Sequence, residues 1–384
     1  MAKAQPTTNA RATEILKRLK KNSSIDESSI FSNSDIYVLK ESVSTPIPII
    51  NLALSGKFFD GGITRGLTVI AGVSRSFKTN LGLVCLKAYM DAHEDAVGFL
   101  YDSEFSFTPE YLGSFGIDQD RVFITPVTDI DNLKNDIINQ VDTFGKDDKV
   151  FILIDSIGNL ASLKELTDAQ EGKSTQDMTR ARALKSLFRM ITPRVNLKNV
   201  PLFVVNHVYE TMELYSKTII SGGTGVLLSA NTAIIMSRRK ATDKNVEGFD
   251  FMIKCEKSRF IQEGIRFPLT IPKGGMIKKY SGLFDLALET GFLMKSGNRY
   301  YIPEISESEL YWRKDVEDSD EFWDNIFKNT KFIETIEEGL KVSVDQSSLF
   351  KTGENAAVLG STPAPEYDEI PVGYGDDITA EDTL

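Results

Sequence analysis

An α/β fold with a mostly parallel central sheet is predicted by three features of the sequence. Apolar runs of strand length end in polar residues, helical spacing fills the stretches between them, and a glycine-containing turn joins the first run to a helix. The runs are LTVIAG (67–72), AVGFLYDSE (96–104), KVFILIDSIGNL (149–160), PLFVVNH (201–207) and TAIIMSRR (232–239). The first four are near-continuous, as strands covered on both faces are, so their carboxyl ends should carry the chemistry. Residues 78–92 and 176–192 have helical spacing, which gives βαβ units.

The other elements follow in chain order. Residues 12–22, ATEILKRLKKN, read as a short helix with Ile15, Leu16 and Leu19 on one side and Lys17, Arg18, Lys20 and Lys21 elsewhere. A helix this short is marginal alone, so it must pack on something or fray. Serine-rich NSSIDESSIFSNSD leads from it into the main body. FDFMIKCEKSRF and GIRFPLTIP read as an antiparallel extension of the sheet, and a smaller mixed α/β segment follows. The expected layout is an N-terminal helical arm and linker (1–34), a core (35–285), a small C-terminal α/β domain (286–350) and an acidic, disordered tail (351–384).

With 384 residues, 41% of them hydrophobic and 26% charged, the chain can build one large core or two smaller ones. No apolar run is long enough to span a bilayer, and the N-terminus lacks the apolar stretch of a secretion signal. Two cysteines and two histidines exclude a disulfide framework and leave little for a metal cluster. Cys85 and Cys255 are expected as buried small apolar residues in a reducing, cytoplasmic compartment. The net charge of -11 is uneven: residues 352–384 carry eight acids and no base, and residues 301–351 thirteen acids against six bases. Residues 1–300 are therefore left at +4. A mildly basic body with an acidic tail suits a nucleic-acid binder, although a solubilising tail has the same composition.

Within AGVSRSFKTNL (71–81), Gly72, Lys78 and Thr79 follow the phosphate-loop pattern G-x-x-x-x-G-K-[ST], with Ser74, Arg75 and Ser76 in the loop and Asn80 after it. Amides of such a loop, with a helix N-terminus, suit a phosphate chain; Lys78 would reach the β- and γ-phosphates and Thr79 would coordinate Mg2+. Phe77 stands where the pattern has glycine. A side chain there is expected to keep φ negative, with its ring turned away from the phosphates. Asp155 ends the run FILID, where a carboxylate can hold Mg2+ through water or can cap a helix. Glu104 ends LYDSE and is placed to orient an attacking water or, alternatively, to cap the helix starting near Thr108 and Pro109. Asp102 is expected to be structural. Asn206 and His207 end FVVNH and could sense a γ-phosphate.

Two long connections leave the same strand ends: 160–179, and 208–226 with Gly222, Gly223 and Gly225. Long structureless connections in a compact domain are usually functional. The first leads into a helix carrying Arg180, Arg182, Lys185 and Arg189, so the two could line a polynucleotide groove; a solvated basic face is the plainer alternative.

The order GVSRSFKT, YDSEF, FILIDS, VVNH and SGGTG resembles the RecA family of homologous-recombination ATPases, with similarity over most of residues 35–300. The resemblance implies a RecA-like P-loop core that binds ATP and Mg2+, with Lys78 and Thr79 in the phosphate loop, Thr79 and Asp155 at the metal, and Glu104 activating water. Tyr111 would stack on adenine, assisted by Thr108, and His207 would sense the γ-phosphate where the family uses glutamine. Lys257 and Arg259 would reach the neighbouring subunit's ATP. Arg182 and Arg189 would match basic residues of the first DNA loop and its helix, with Arg180 a further DNA-binding candidate on that helix, and Gly222 and Gly223 would match the second loop. The helix at 12–22 would be the arm that docks on the adjacent protomer. The implied activity is a DNA-dependent ATPase forming a helical filament on single-stranded DNA and exchanging strands with a homologous duplex. A recombination mediator and a single-strand-binding protein are implied partners, with no membrane involved. A RecA-like ring helicase would share the loop, the strand acid and the glutamate, and a nucleotide-insensitive DNA-binding scaffold is the reading from a different class.

Overall fold

The computed structural model describes residues 10–34, 36–37, 42–173, 178–211, 218–239, 248–272 and 277–341. The acidic tail, parts of both long connections (174–177 and 212–217) and 240–247 lie outside these. Nine strands form the main sheet: β1 (Gly66–Gly72), β2 (Val97–Asp102), β3 (Val122–Pro126), β4 (Val150–Asp155), β5 (Pro201–Glu210), β6 (Thr218–Ile220), β7 (Thr232–Arg239), β8 (Gly248–Ser258) and β9 (Arg266–Pro272). Their order is β3-β2-β4-β5-β1-β7-β8-β9, with β6 paired to the end of β5. From β3 to β7 the pairings are parallel, and β8 and β9 extend the sheet in antiparallel fashion.

The helices before β9 are α1 (Ala10–Asn22), α2 (Pro48–Ser55), α3 (Lys78–Ala92), α4 (Pro109–Ser114), α5 (Ile130–Thr143), α6 (Leu163–Gln170), α7 (Met178–Leu197) and α8 (Thr224–Ser229). Alternate strand residues serve the two faces, as the two-residue period requires. Ile70, Leu100, Leu153 and Val205 pack with Leu81, Cys85 and Leu86 of α3 in one cluster. Val69, Tyr101, Ile154 and Val204 pack with Ile137 of α5 and Leu184, Leu187 and Phe188 of α7 in the other. The β1–β5 and β2–β4 registers bring Gly72 beside His207 and Asp102 beside Asp155, so the phosphate-loop glycine and three polar residues share one rim of the sheet.

The C-terminal segment comprises α9 (Leu283–Glu289), the hairpin-linked β10 (Met294–Ser296), β11 (Arg299–Ile302) and β12 (Ser306–Tyr311), then α10 (Arg313–Val316), α11 (Asp320–Asn329) and α12 (Phe332–Leu340). The boundary expected at 285/286 falls inside α9, and Trp323, Phe332 and Ile336 share a hydrophobic cluster with Phe58 and the α3 face. Phe58 meets the Phe332 ring at 5.4 Å, and Lys57 pairs with Glu337. In α1, Ile15, Leu16 and Leu19 are 40, 37 and 64% exposed, so its apolar stripe lies uncovered. Both cysteines are buried and free, as expected, with thiols pushed above their ordinary range by burial.

Candidate nucleotide site

Gly72 closes β1, and the chain turns through Ser74, Arg75 and Ser76 into α3, with Ser74 and Arg75 exposed and Ser76 buried. Phe77 caps α3 with φ 71° and ψ 15°. The expected negative φ is thus overturned: this position takes the left-handed conformation even with a side chain. That conformation costs an L-residue about 1–2 kcal/mol. The ring lies partly buried against the core, 5.8 Å from Phe251 of β8, and apolar burial of this kind offsets a cost of that order. The ring therefore packs into the protein. Phe77→Gly should be more stable than Phe77→Ala by about 1 kcal/mol, because alanine keeps the backbone cost and loses the ring. Urea unfolding of the pair tests this, and an alanine variant as stable as the glycine variant would contradict it.

Lys78 is buried and its Nζ donates to the Val73 carbonyl at 2.7 Å. Burial lowers its pKa, while Asp155 and Glu104 pull it back up. The Thr79 hydroxyl donates to Asp155 Oδ2 at 2.6 Å. Burial raises the Asp155 pKa to about 6, against the Thr79 hydrogen bond. Asp155 Oδ1 and Ser76 Oγ are buried with no hydrogen-bond partner. A buried carboxylate oxygen left over beside a hydroxyl suits a divalent cation, and a buried hydroxyl in the loop suits a phosphate oxygen. Asp155 is not a helix cap.

Glu104 Oε1 accepts from Ser156 Oγ at 2.9 Å and lies 3.6 Å from His207 Nε2. Ser156 is held in turn by Ser103, whose hydroxyl accepts from the Ser156 amide at 2.9 Å and donates to its carbonyl at 2.7 Å. This serine pair was not among the expected site residues; its only trace was two serines directly following strand acids. Asp102 is structural, accepting from the Glu104 and Phe107 amides. His207 is half-buried, and burial, then Lys78, lower its pKa against the raising effect of Glu104. Its ring lies on Gly158, where an added Cβ would sit 2.1 Å from Cδ2 and displace the ring.

Tyr111 donates through its hydroxyl to Asn80 Oδ1 at 3.2 Å, which places it beside the α3 N-terminus. Thr108 caps α4 by accepting from the Tyr111 amide at 3.2 Å, so it orients Tyr111. Lys257 and Arg259 are not brought to this cluster. Lys257 pairs with Ala233, the second residue of β7, and the Arg259 amide donates to the Asn231 carbonyl, which puts both residues at the amino end of β7, away from Lys78. Lys257 Nζ donates to the Leu227 and Leu228 carbonyls at 2.9 and 2.8 Å.

The long connections are more ordered than expected. Residues 163–170 form α6, opened by a capping box between Ser162 and Glu165, and β6 and α8 occupy part of the second connection. Gly222 and Gly223 have φ of 89° and 77°, and a Cβ on Gly222 would lie 2.6 Å from Leu184, so glycine lets this turn approach α7. Arg182, Lys185 and Arg189 are exposed on α7, whereas Arg180 is turned inward onto backbone carbonyls.

Buried parallel strands, a loop of amides ahead of a helix, and a lysine, a threonine and a strand-end acid together define a P-loop nucleoside triphosphatase. Residues 29–270 match the RecA N-terminal domain, and residues 280–336 match the C-terminal domain of the bacteriophage T4 recombination and repair protein. That Enterobacteria phage T4 protein is 40% identical over 91% of this chain and 91% of its own length. The RecA proteins of Arthrobacter sp. strain FB24 and Streptomyces rimosus are 26 and 27% identical, covering 70 and 66% of this chain and 77 and 67% of their own. The chain belongs to the RecA family of homologous-recombination ATPases, in the branch of UvsX, the phage T4 recombination and repair protein. With that membership come DNA-dependent ATP hydrolysis, DNA binding and self-association. Among the described residues no helix is long and apolar enough to cross a membrane.

Proposed function

We propose that this protein assembles as a helical filament on single-stranded DNA, with ATP and Mg2+ between protomers, and exchanges strands with a homologous duplex. The observation that carries this reading is the convergence of Gly72, Asp155, Glu104 and His207 on one rim, from which both long connections also leave. Lys78 and the loop amides hold the phosphates, while Thr79 and Asp155 hold the metal. When bound, Mg2+ neutralises charge on the β- and γ-phosphates. Glu104, fixed by Ser156, orients the attacking water and accepts its proton. Tyr111 lies against adenine. His207 rests between Glu104 and Gly158 and continues directly into residues 208–226, so a change at the γ-phosphate reaches the second loop. Exposed Arg182 and Arg189, with the glycines of the second loop, grip the DNA backbone.

The arm (1–34) docks its uncovered Ile15, Leu16 and Leu19 stripe on the adjacent protomer's core (35–285). A recombination mediator and a single-strand-binding protein are the further partners, and the setting is the cytoplasm of a phage-infected bacterial host. Electron microscopy with an ATP analogue and single-stranded DNA tests the assembly: filaments are expected, and rings would favour a helicase. Lys257 and Arg259, which lie away from their own chain's loop, are the cations assigned to a neighbour's nucleotide, as the family's pattern implies. Lys257→Ala should lower DNA-stimulated turnover at least about tenfold at filament-forming concentrations. Unaltered turnover there would remove the shared site.

A further inference from the structure

Arg180 joins the roots of the two long connections. Its Nε donates to the Leu160 carbonyl at 2.9 Å, and Nη2 donates to the Ile157 and Gly158 carbonyls at 2.8 and 2.6 Å. Nη1 reaches Ser221 Oγ at 3.3 Å. Three of these acceptors belong to the segment following Asp155, and the fourth is the residue before Gly222. Both sides of this bridge meet at His207. Its ring lies on Gly158, its carbonyl accepts from the Ser221 amide at 2.9 Å, and the neighbouring Asn206 Nδ2 donates to the Ser221 carbonyl at 2.7 Å. A guanidinium suits this task because its donors form a rigid planar fork and its charge is permanent.

We propose that Arg180 is a positioning residue that makes the two loops respond together to the nucleotide, and not a contact to DNA phosphate. This rests on the reading that these loops grip DNA. A displacement of His207 must move Gly158, and Arg180 carries that movement to Ser221 and the Gly222–Gly223 turn. Arg182 and Arg189, exposed on the same helix, are left to meet the phosphates.

The test is binding of the full chain to a fluorescent thymidine oligonucleotide, with a nonhydrolysable ATP analogue and with ADP, over a salt series. The wild type should bind more tightly with the analogue. Arg180→Gln should shrink the ratio of the two affinities about tenfold without changing the salt slope, and Arg180→Lys should restore part of it. Ser221→Ala, which deletes one acceptor and leaves the three carbonyl contacts in place, should shrink the ratio by a smaller factor; it decides the matter if Arg180→Gln does not fold. Equal weakening in both nucleotide states, with the slope reduced by about 0.7, would make Arg180 a phosphate contact and overturn the proposal. A wild-type ratio in both Arg180→Gln and Ser221→Ala would overturn it as well. A wild-type chain that binds the oligonucleotide in neither state would refute the underlying recombinase reading, and needs no variant to be seen.

Discussion

Lys78→Ala is expected to lower ATP turnover by at least about 10²–10³-fold while the chain stays folded. The magnitude follows from deleting a buried cation aimed at the place where charge gathers on the transferred phosphoryl group. Persistence of the fold follows from the burial of Lys78 and its lowered pKa. A lysine whose pKa falls on folding opposes folding in its charged form. That cost is full at low and neutral pH and fades only as pH rises through the folded pKa. Removing the ammonium therefore takes away a charge that burial disfavours, and what the fold loses is the hydrogen bond to the Val73 carbonyl, the attraction of Asp155 and Glu104, and the packing of the buried stem. Steady-state ATPase measured beside a thermal melt checks both halves. Turnover near wild type would contradict the role of Lys78, and an unfolded variant would contradict its energetics.

Glu104→Gln carries the second large effect. Glutamine keeps the shape of the side chain and one acceptor oxygen, so the Ser156 hydrogen bond can persist, but it cannot take a proton. Turnover should fall about 10²–10⁴-fold while nucleotide affinity changes little. The expected consequence is a chain that holds ATP and stays on DNA, since hydrolysis is the step that loosens the grip. Equilibrium nucleotide binding and single-turnover hydrolysis separate the two quantities. Equal loss of both would make Glu104 a binding residue and move water activation elsewhere.

The nucleotide rim was legible because its residues end long apolar strands, where a buried run and a terminal acid stand out together. Glu104, Asp155 and His207 were found by that pattern and Lys78 and Thr79 by the phosphate-loop motif. The structure brings the first three to adjacent strand ends and sets the other two in the first turn of α3 beside them. Strand β3 was missed because VFITP is short and leaves Phe123 and Ile124 exposed at the sheet edge, so it shows neither alternation nor a buried run. Helix α6 was hidden inside a polar segment, although its Ser162–Glu165 capping box was present as a local signal. The positive φ of Phe77 was not readable, since its compensation comes from Phe251, far away in sequence. The inward turn of Arg180 was invisible for a similar reason. Helical spacing assigns a residue to a face, but the carbonyls that capture its guanidinium come from two other segments.

The central claim is that nucleotide hydrolysis and DNA binding are two ends of one device built on the rim shared by Gly72, Asp155, Glu104 and His207. ATPase activity with and without single-stranded DNA tests it most directly. The account predicts turnover that rises with single-stranded DNA and disappears in Lys78→Ala under both conditions. Turnover indifferent to DNA, or absent from the wild type, would contradict it.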